Sequence, residues 1–121
     1  MTYLNGTHPN SPIPIILLNY EGLSNEEMLE ELRKLRTVML NAISGQQFIT
    51  LSNFTNCRTF SAFLKESELY AREVFNSRTY RSAMYGLNGI TRIAGTLYNA
   101  AHGSYVKIFE SKIDALNYLI K

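Results

Sequence analysis

Residues 81–101 read RSAMYGLNGITRIAGTLYNAA, and this stretch decides the predicted fold. Residues 82–87 have the composition of a β-strand, Gly86 and Gly89 mark a sharp turn, and the apolar residues after them recur at helical spacing. Asn88 is the predicted N-cap of that helix, because an asparagine side chain accepts hydrogen bonds from the free N–H groups of a first turn. A strand, a tight turn and a helix form half of a βαβ unit, so the stretch predicts an α/β fold.

The same pattern of strand, turn and helix recurs before this stretch. Residues 15–20 are apolar on both faces, as a central strand of a parallel sheet is. Ser24 and Glu27 then form a capping box that starts a helix, and Gly45 is predicted to end it. The buried stripe of this helix is predicted from helical spacing to be Met28, Leu32, Leu35, Met39 and Ile43.

Further strands and helices complete the pattern. Residues 47–53 are the predicted second strand, and the helix after it is predicted to begin between Asn56 and Thr59. Residues 105–109 are the predicted fourth strand, after which Ser111 caps the last helix. The order β-α-β-α-β-α-β-α predicts a layered single-domain fold with a mostly parallel sheet of four or five strands. The predicted core-facing residues of the last helix are Ile113, Leu116, Leu119 and Ile120.

Residues 1–12 are open to two interpretations. Asn5 and Gly6 form a turn dipeptide, and three prolines in the first fourteen residues exclude a helix. The segment is either a loose arm or a short edge strand that folds back on the next strand. A chain of 121 residues fits one domain, which we expect to span residues 13–121.

Composition excludes several classes of protein. The net charge is +2, too small for the basic footprint of a nucleic-acid-binding protein. No apolar run approaches the ~18 residues that a membrane span needs, and no secretory signal is visible. Cys57 is the only cysteine, and two separated histidines give no metal-ligand spacing. We therefore expect a cytoplasmic protein without membrane insertion, nucleic-acid partner, metal or cofactor.

Three stretches share their motifs with a known family. They are ILLNYEGL at residues 16–23, SAMYGLNG at residues 82–89 and VKIFESKIDALNYL at residues 106–119. In this order they resemble the SpoIIAA-like group of the STAS-type fold, the fold of sulfate-transporter and anti-sigma-factor-antagonist domains. The resemblance covers the chain from residue 13 to its end. It implies a small α/β sandwich that binds another protein.

The resemblance also implies a position for a regulatory phosphorylation. Anti-sigma-factor antagonists of this fold are phosphorylated on a serine in an Asp-Ser-Ser-Gly type of turn, which opens the second helix. This chain has NFTNC at residues 53–57 instead. Thr55 is the hydroxyl-bearing residue at the matching position and is therefore the candidate phosphorylation site.

The carboxyl ends of the strands are the predicted functional site. In an open parallel sheet, ligands bind beyond these ends, where helix N-termini also offer free N–H groups to anions. The alternative is that the polar residues there are turn formers and N-caps, which every such loop needs. Cys57 is likewise either a reactive thiol or a small packed residue. The candidate ligand- or partner-binding residues are Asn53, Thr55, Asn56, Arg58, Gly86, Asn88 and Gly89.

Two hypotheses for function follow from these patterns. No residues have the spacing of a catalytic triad or of a phosphate-binding loop, so we expect a protein without enzymatic activity. The first hypothesis is a STAS-like regulatory or protein-interaction domain, whose partner is another protein or a second copy of the chain. The alternative is a domain that binds a small ligand, a lipid or a phosphorylated metabolite, at the strand ends.

Overall fold

The structure, a computed structural model, describes residues 2–7 by their backbone, and residues 13–58, 60–87 and 106–120 apart from the Asn76 side chain. The helix predicted to start at Asn88 lies outside the described residues. The described elements are β1 Thr2–Thr7, β2 Pro14–Asn19, α1 Asn25–Leu40, β3 Phe48–Asn53, α2 Ser61–Tyr70, a π-helical turn Ala71–Phe75, α3 Asn76–Arg78, β4 Thr79–Tyr85, β5 Val106–Phe109 and α4 Lys112–Leu119.

The strands form one five-stranded sheet in the order β1-β2-β3-β4-β5. β1 pairs antiparallel with β2, and each later pair is parallel. Parallel neighbours need a crossover connection. α1 lies in the crossover between β2 and β3, and α2 with the turns after it lies in the crossover between β3 and β4. The predicted α/β fold with a mostly parallel sheet is confirmed.

Two apolar cores lie on opposite faces of the sheet. α1 and α2 cover the face that carries Ile16 and Leu18. α4 covers the other face, where Ile49 and Leu51 are fully buried. Because successive strand residues point to opposite faces, Thr50 lies on the face of α1 and α2. A buried aliphatic side chain contributes about 1.5–3 kcal/mol, so both faces hold the sheet in place.

The start of α1 follows the prediction. Ser24 Oγ accepts a hydrogen bond from Glu27 N at 3.2 Å, and a Glu27 carboxylate oxygen accepts one from Ser24 N at 2.9 Å. These two bonds complete the capping box. The bond from Ser24 N, and to a smaller extent the Ser24 hydroxyl, hold the pKa of the Glu27 carboxyl below its ordinary value, because both donors favour the ionised group.

The end of α1 differs from the prediction. The helix stops at Leu40 with Asn41 as its C-cap, so the assignment of Gly45 as its terminating glycine is wrong. Ile43 is 77% exposed rather than buried, because Met39 is the last residue of the stripe that reaches the core. Gly45 has a left-handed φ of 84° in the loop before β3.

α2 begins at Ser61, later than the predicted range from Asn56 to Thr59. The delay comes from a β-turn in which Cys57 N donates to Phe54 O at 3.0 Å. Asn56 has a left-handed φ of 59° within this turn. An α-helix of L-residues cannot start through that conformation, so the chain must leave the turn before α2 forms.

An ion-pair cluster joins α1 to α2. The nearly buried carboxylate of Glu66 lies 3.2 Å from Arg36 Nη2 and 3.6 Å from Arg33 Nε. Arg36 Nη1 also lies 3.3 Å from a carboxylate oxygen of Glu73, in the π-helical turn. A buried carboxylate is tolerated only when it is paired, so these contacts fix how the two helices sit against each other.

β4 begins earlier than predicted, at Thr79 rather than Ser82, and ends at Tyr85 rather than Leu87. Arg81 belongs to the strand, where it pairs with Ile49 of β3. Its guanidinium donates to Tyr118 O at 3.0 Å and thereby joins β4 to α4.

The last helix is capped as predicted but faces the core differently. Ser111 Oγ accepts a hydrogen bond from Asp114 N at 3.2 Å. Ile113 and Ile120 are exposed, contrary to the prediction, because so short a helix presents little more than one i, i+4 pair to the sheet. The buried residues of α4 are Ala115 and Leu119.

Candidate functional site

β2, β3 and β4 end side by side at one edge of the sheet. In parallel register, Asn19 pairs with Asn53, and Asn53 pairs with Tyr85. Backbone hydrogen bonds continue past the strands, because Tyr20 N donates to Asn53 O at 3.0 Å and Phe54 N donates to Tyr85 O at 2.9 Å. The loops that follow these strands are therefore held next to one another.

The first feature of this edge is a cluster of interlocked groups, the rim lock, formed by Asn19, Glu21, Asn53, Thr55 and Gly86. Asn53 Nδ2 donates to Asn19 Oδ1 at 2.9 Å and to a Glu21 carboxylate oxygen at 3.2 Å. Asn53 Oδ1 accepts from Thr55 N at 3.0 Å and from Thr55 Oγ1 at 2.6 Å. The buried Asn53 amide thus uses both of its N–H donors and two acceptor positions within the rim lock.

Gly86 completes the rim lock by contact. Its φ is 82°, a left-handed conformation that favours glycine. A Cβ at this position would meet the Thr55 hydroxyl and would lie 2.7 Å from Thr55 N and 2.9 Å from Thr55 Cα. The missing side chain therefore lets the end of β4 approach the loop after β3.

The second feature is the strand-end groove, an open cleft between the loop after β2 and the loop after β3. Asn56 and Arg58 are exposed, and neither side chain has a hydrogen bond or an ion pair within the described part of the chain. Leu23 is half-buried beside them. The groove is lined by Glu21, Gly22, Leu23, Asn25, Met28, Asn56, Cys57 and Arg58.

Cys57 lies on the buried side of the strand-end groove. Its Sγ donates to Tyr20 O at 3.2 Å. Burial, and to a smaller extent the charge of Glu21, raise the pKa of the thiol. Because the thiolate is the nucleophilic form, the structure favours the packed residue over the reactive thiol.

The predicted site residues fall into separate groups. Those brought together are Asn53, Thr55 and Gly86 in the rim lock, and Asn56 and Arg58 in the groove. Asn88 and Gly89 lie outside the described residues. Sequence reasoning missed Glu21, although its place just after the end of β2 was a usable signal that it borders the same edge.

Two further findings concern the described residues alone. They contain no group of three or more His, Cys, Asp or Glu residues that would hold a metal ion. None of their helices combines the length and the apolar character needed to cross a bilayer.

No known family profile matches the chain, and no curated protein sequence matches it. A solved structure does, the crystal structure of an uncharacterized protein of the DUF3478 family from Shewanella loihica PV-4, which has a SpoIIAA-like fold. The match has a TM-score of 0.63 and covers 98% of this chain and 92% of the other, at 18% sequence identity. The chain therefore has a SpoIIAA-like fold, and the predicted resemblance is confirmed for the fold.

Proposed function

We propose that this SpoIIAA-like domain is a non-enzymatic regulatory module that binds another protein through the strand-end groove. The observation that carries the proposal is a contrast at one edge of the sheet. The polar groups of Asn53 and Thr55 bind each other in the rim lock. The side chains of Asn56 and Arg58 are exposed beside it and have no partner within the described residues.

The shape and chemistry of the groove favour a protein over a small ligand. Small-molecule sites are concave and mostly apolar, whereas a transient protein interface is about as polar as the rest of a protein surface. The groove is open, and it combines the Glu21 carboxylate, the Arg58 guanidinium and the half-buried Leu23. A complementary partner would present an acidic group to Arg58 and an apolar side chain to Leu23.

The alternative, a phosphorylated metabolite at the strand ends, has less support. Two of the predicted donors to an anion, the side chains of Asn53 and Thr55, already bind acceptors in the rim lock. The Glu21 carboxylate would repel an anion at this edge. The expected place for the anion is the start of the second or the third helix; the second begins only at Ser61, and the start of the third lies outside the described residues.

The raised pKa of the Cys57 thiol supports a role without catalysis, because a groove nucleophile would need a lowered thiol pKa. A shared fold does not decide this question, since one fold hosts many activities.

Phosphorylation of Thr55 stays a prediction within this proposal. A phosphate would replace the hydroxyl that donates to Asn53 and that lies against Gly86. It would therefore open the rim lock and move the neighbouring Asn56 turn. Thr55→Glu should accordingly lower the free energy of unfolding and weaken partner binding, whereas Thr55→Ser should change neither by much.

The test is binding of a natural partner to matched charge variants. A partner captured from an extract of the source organism is purified, and its Kd for the wild-type domain is measured. Arg58→Glu should weaken binding at least tenfold, or about 1.4 kcal/mol, because it places a like charge against an acidic partner group. Asn56→Lys should also weaken binding, by adding bulk to the groove.

Arg72→Glu is the matched control, because Arg72 is exposed in the π-helical turn and undergoes the same charge change. It should bind as the wild type does. A partner that binds Arg58→Glu and Asn56→Lys as tightly as the wild type would contradict the proposal. If the partner is a second copy, the purified domain alone should show a concentration-dependent mass that Arg58→Glu lowers.

A further inference from the structure

A part-open cavity of about 90 Å³ lies between the sheet and the helices α1 and α2, and it shares no lining residue with the strand-end groove. Thr50, Ser52 and Ser82 line it from the sheet, and Ala71 borders it from the π-helical turn. Most of the other described residues around it are apolar. The hydroxyls stand out, because their positions in the middle of β3 and β4 are the ones that a parallel sheet usually fills with aliphatic side chains.

Two of these hydroxyls form an isolated pair. Thr50 Oγ1 and Ser82 Oγ lie 2.6 Å apart, and the residues are only 2% and 4% exposed. The pair holds two hydroxyl protons, and the bond between the oxygens uses one of them. The second proton has no acceptor among the residues that the structure describes. Buried donors are nearly always satisfied, so this proton points to a missing partner.

The backbone next to the cavity is also unusual. Residues Ala71–Phe75 form a π-helical turn, and both Ala71 and Phe75 border the cavity. Such turns are rare inside helices and occur frequently at functional sites. Ala71 has the smallest side chain of this turn and borders the cavity. A larger side chain at this position would occupy part of the cavity.

We propose that this cavity binds a compact, mainly apolar molecule that carries one acceptor oxygen, such as a carbonyl. The oxygen would receive the second proton of the Thr50–Ser82 pair, and the apolar walls would surround the rest. The cavity is smaller than the ~150 Å³ cavity that admits benzene, so the bound portion has fewer heavy atoms than benzene has. This site is separate from the strand-end groove, so either proposal can fail without the other.

Propanone and xenon are suitable probes, because both are compact and only propanone has an acceptor oxygen. Each is titrated into the full chain while the methyl NMR signals of Met84 and Ala71 are followed. In the wild type, both probes should give saturable shifts. The double variant Thr50→Val/Ser82→Ala removes both hydroxyls at nearly constant shape. It should bind propanone about fivefold more weakly, the size of one neutral hydrogen bond, and xenon within twofold of the wild type.

Two controls complete the experiment. Thr37→Val removes an exposed hydroxyl of α1 that bonds to Arg33 O, and it should leave both titrations unchanged. Ala71→Leu should fill the cavity and abolish the shift of the Met84 methyl signal with both probes, whereas Ala62→Leu on the exposed side of α2 should abolish neither shift. Absence of saturable propanone shifts in the wild type would overturn the proposal, since the cavity would then hold water or xenon only. Equal propanone affinity in the wild type and the double variant would overturn it as well.

Discussion

The rim lock and the strand-end groove lie at the same edge of the sheet and use the same kinds of residue in opposite ways. Asn53 is 6% exposed, and its amide is saturated by neighbouring groups. Asn56, three residues later, is exposed and sits at a left-handed turn. The difference teaches that polar residues at strand ends divide into those that position the loops and those that remain available to a partner. Substitutions in the rim lock should therefore change stability, and substitutions in the groove should change binding.

The largest effect is expected at Gly86. Gly86→Ala should cost about 2–5 kcal/mol of unfolding free energy, because it adds a left-handed backbone penalty to an overlap with Thr55. Gly45→Ala is the matched control, since Gly45 has a similar φ of 84° and nothing within 4 Å of its added Cβ. It should cost only about 1–2 kcal/mol. Urea unfolding measures both, and equal losses would show that contact with Thr55 plays no part.

Asn53→Ala should have the next largest effect. It leaves the part-buried Thr55 N–H and hydroxyl without their acceptor, at a cost of about 1–3 kcal/mol. Asn53→Asp keeps the acceptor oxygens but places a carboxylate beside Glu21, so part of its loss should return as the pH falls and a carboxyl is protonated. Urea unfolding measures the loss of unfolding free energy. If Asn53→Ala lost less than an alanine substitution of an exposed asparagine does, the rim lock would not hold the loops.

Asn56 should show a smaller effect that depends on backbone conformation alone. Asn56→Ala should cost about 1 kcal/mol, because alanine resists the left-handed φ of 59°. Asn56→Gly should be neutral or slightly stabilising, since glycine adopts this φ without strain. Thermal unfolding of the pair provides the measurement. An equal loss in both variants would indicate that the asparagine side chain itself contributes to stability.

Cys57 should give a small effect that depends on pH. Burial raises the pKa of its thiol in the folded chain, so folding favours the neutral form. The resulting contribution to stability is full below the unfolded thiol pKa of about 8.5 and is lost as the pH rises through the raised folded value. Cys57→Ala should lack this decline. The measurement is the unfolding free energy of the wild type and of Cys57→Ala from neutral to alkaline pH. The prediction is contradicted if the difference between the two proteins does not change with pH.

The parts of the fold that depend on neighbours in sequence were predicted well. The capping box at Ser24 and the N-cap at Ser111 act within one helical turn, so the sequence alone identifies them. The ends of the apolar stripes were predicted poorly, as Ile43 and Ile113 demonstrate, because exposure there depends on where the sheet stops. Periodicity indicates the face of a helix, but it carries no information about the length of the surface that the helix covers.

The sequence predicted where the candidate site lies, but not which of its residues position the loops and which remain available to a partner. The strand order brings residues near positions 19, 53 and 86 to one edge, which the βαβ pattern anticipates. Which of them bond to each other depends on side-chain geometry between separate loops, and that geometry has no sequence signal. The cavity hydroxyls were missed for the same reason, since Thr50 and Ser82 meet only across two strands.

The most direct test of the division of roles compares Arg58→Glu with Asn53→Ala in one experiment that measures both stability and partner affinity. Arg58→Glu should unfold within ~0.5 kcal/mol of the wild type, as an exposed substitution does, and should bind the partner at least tenfold more weakly. Asn53→Ala should lose more stability than Arg58→Glu does. Unchanged partner affinity in a folded Arg58→Glu variant, measured against the Arg72→Glu control, would contradict the account.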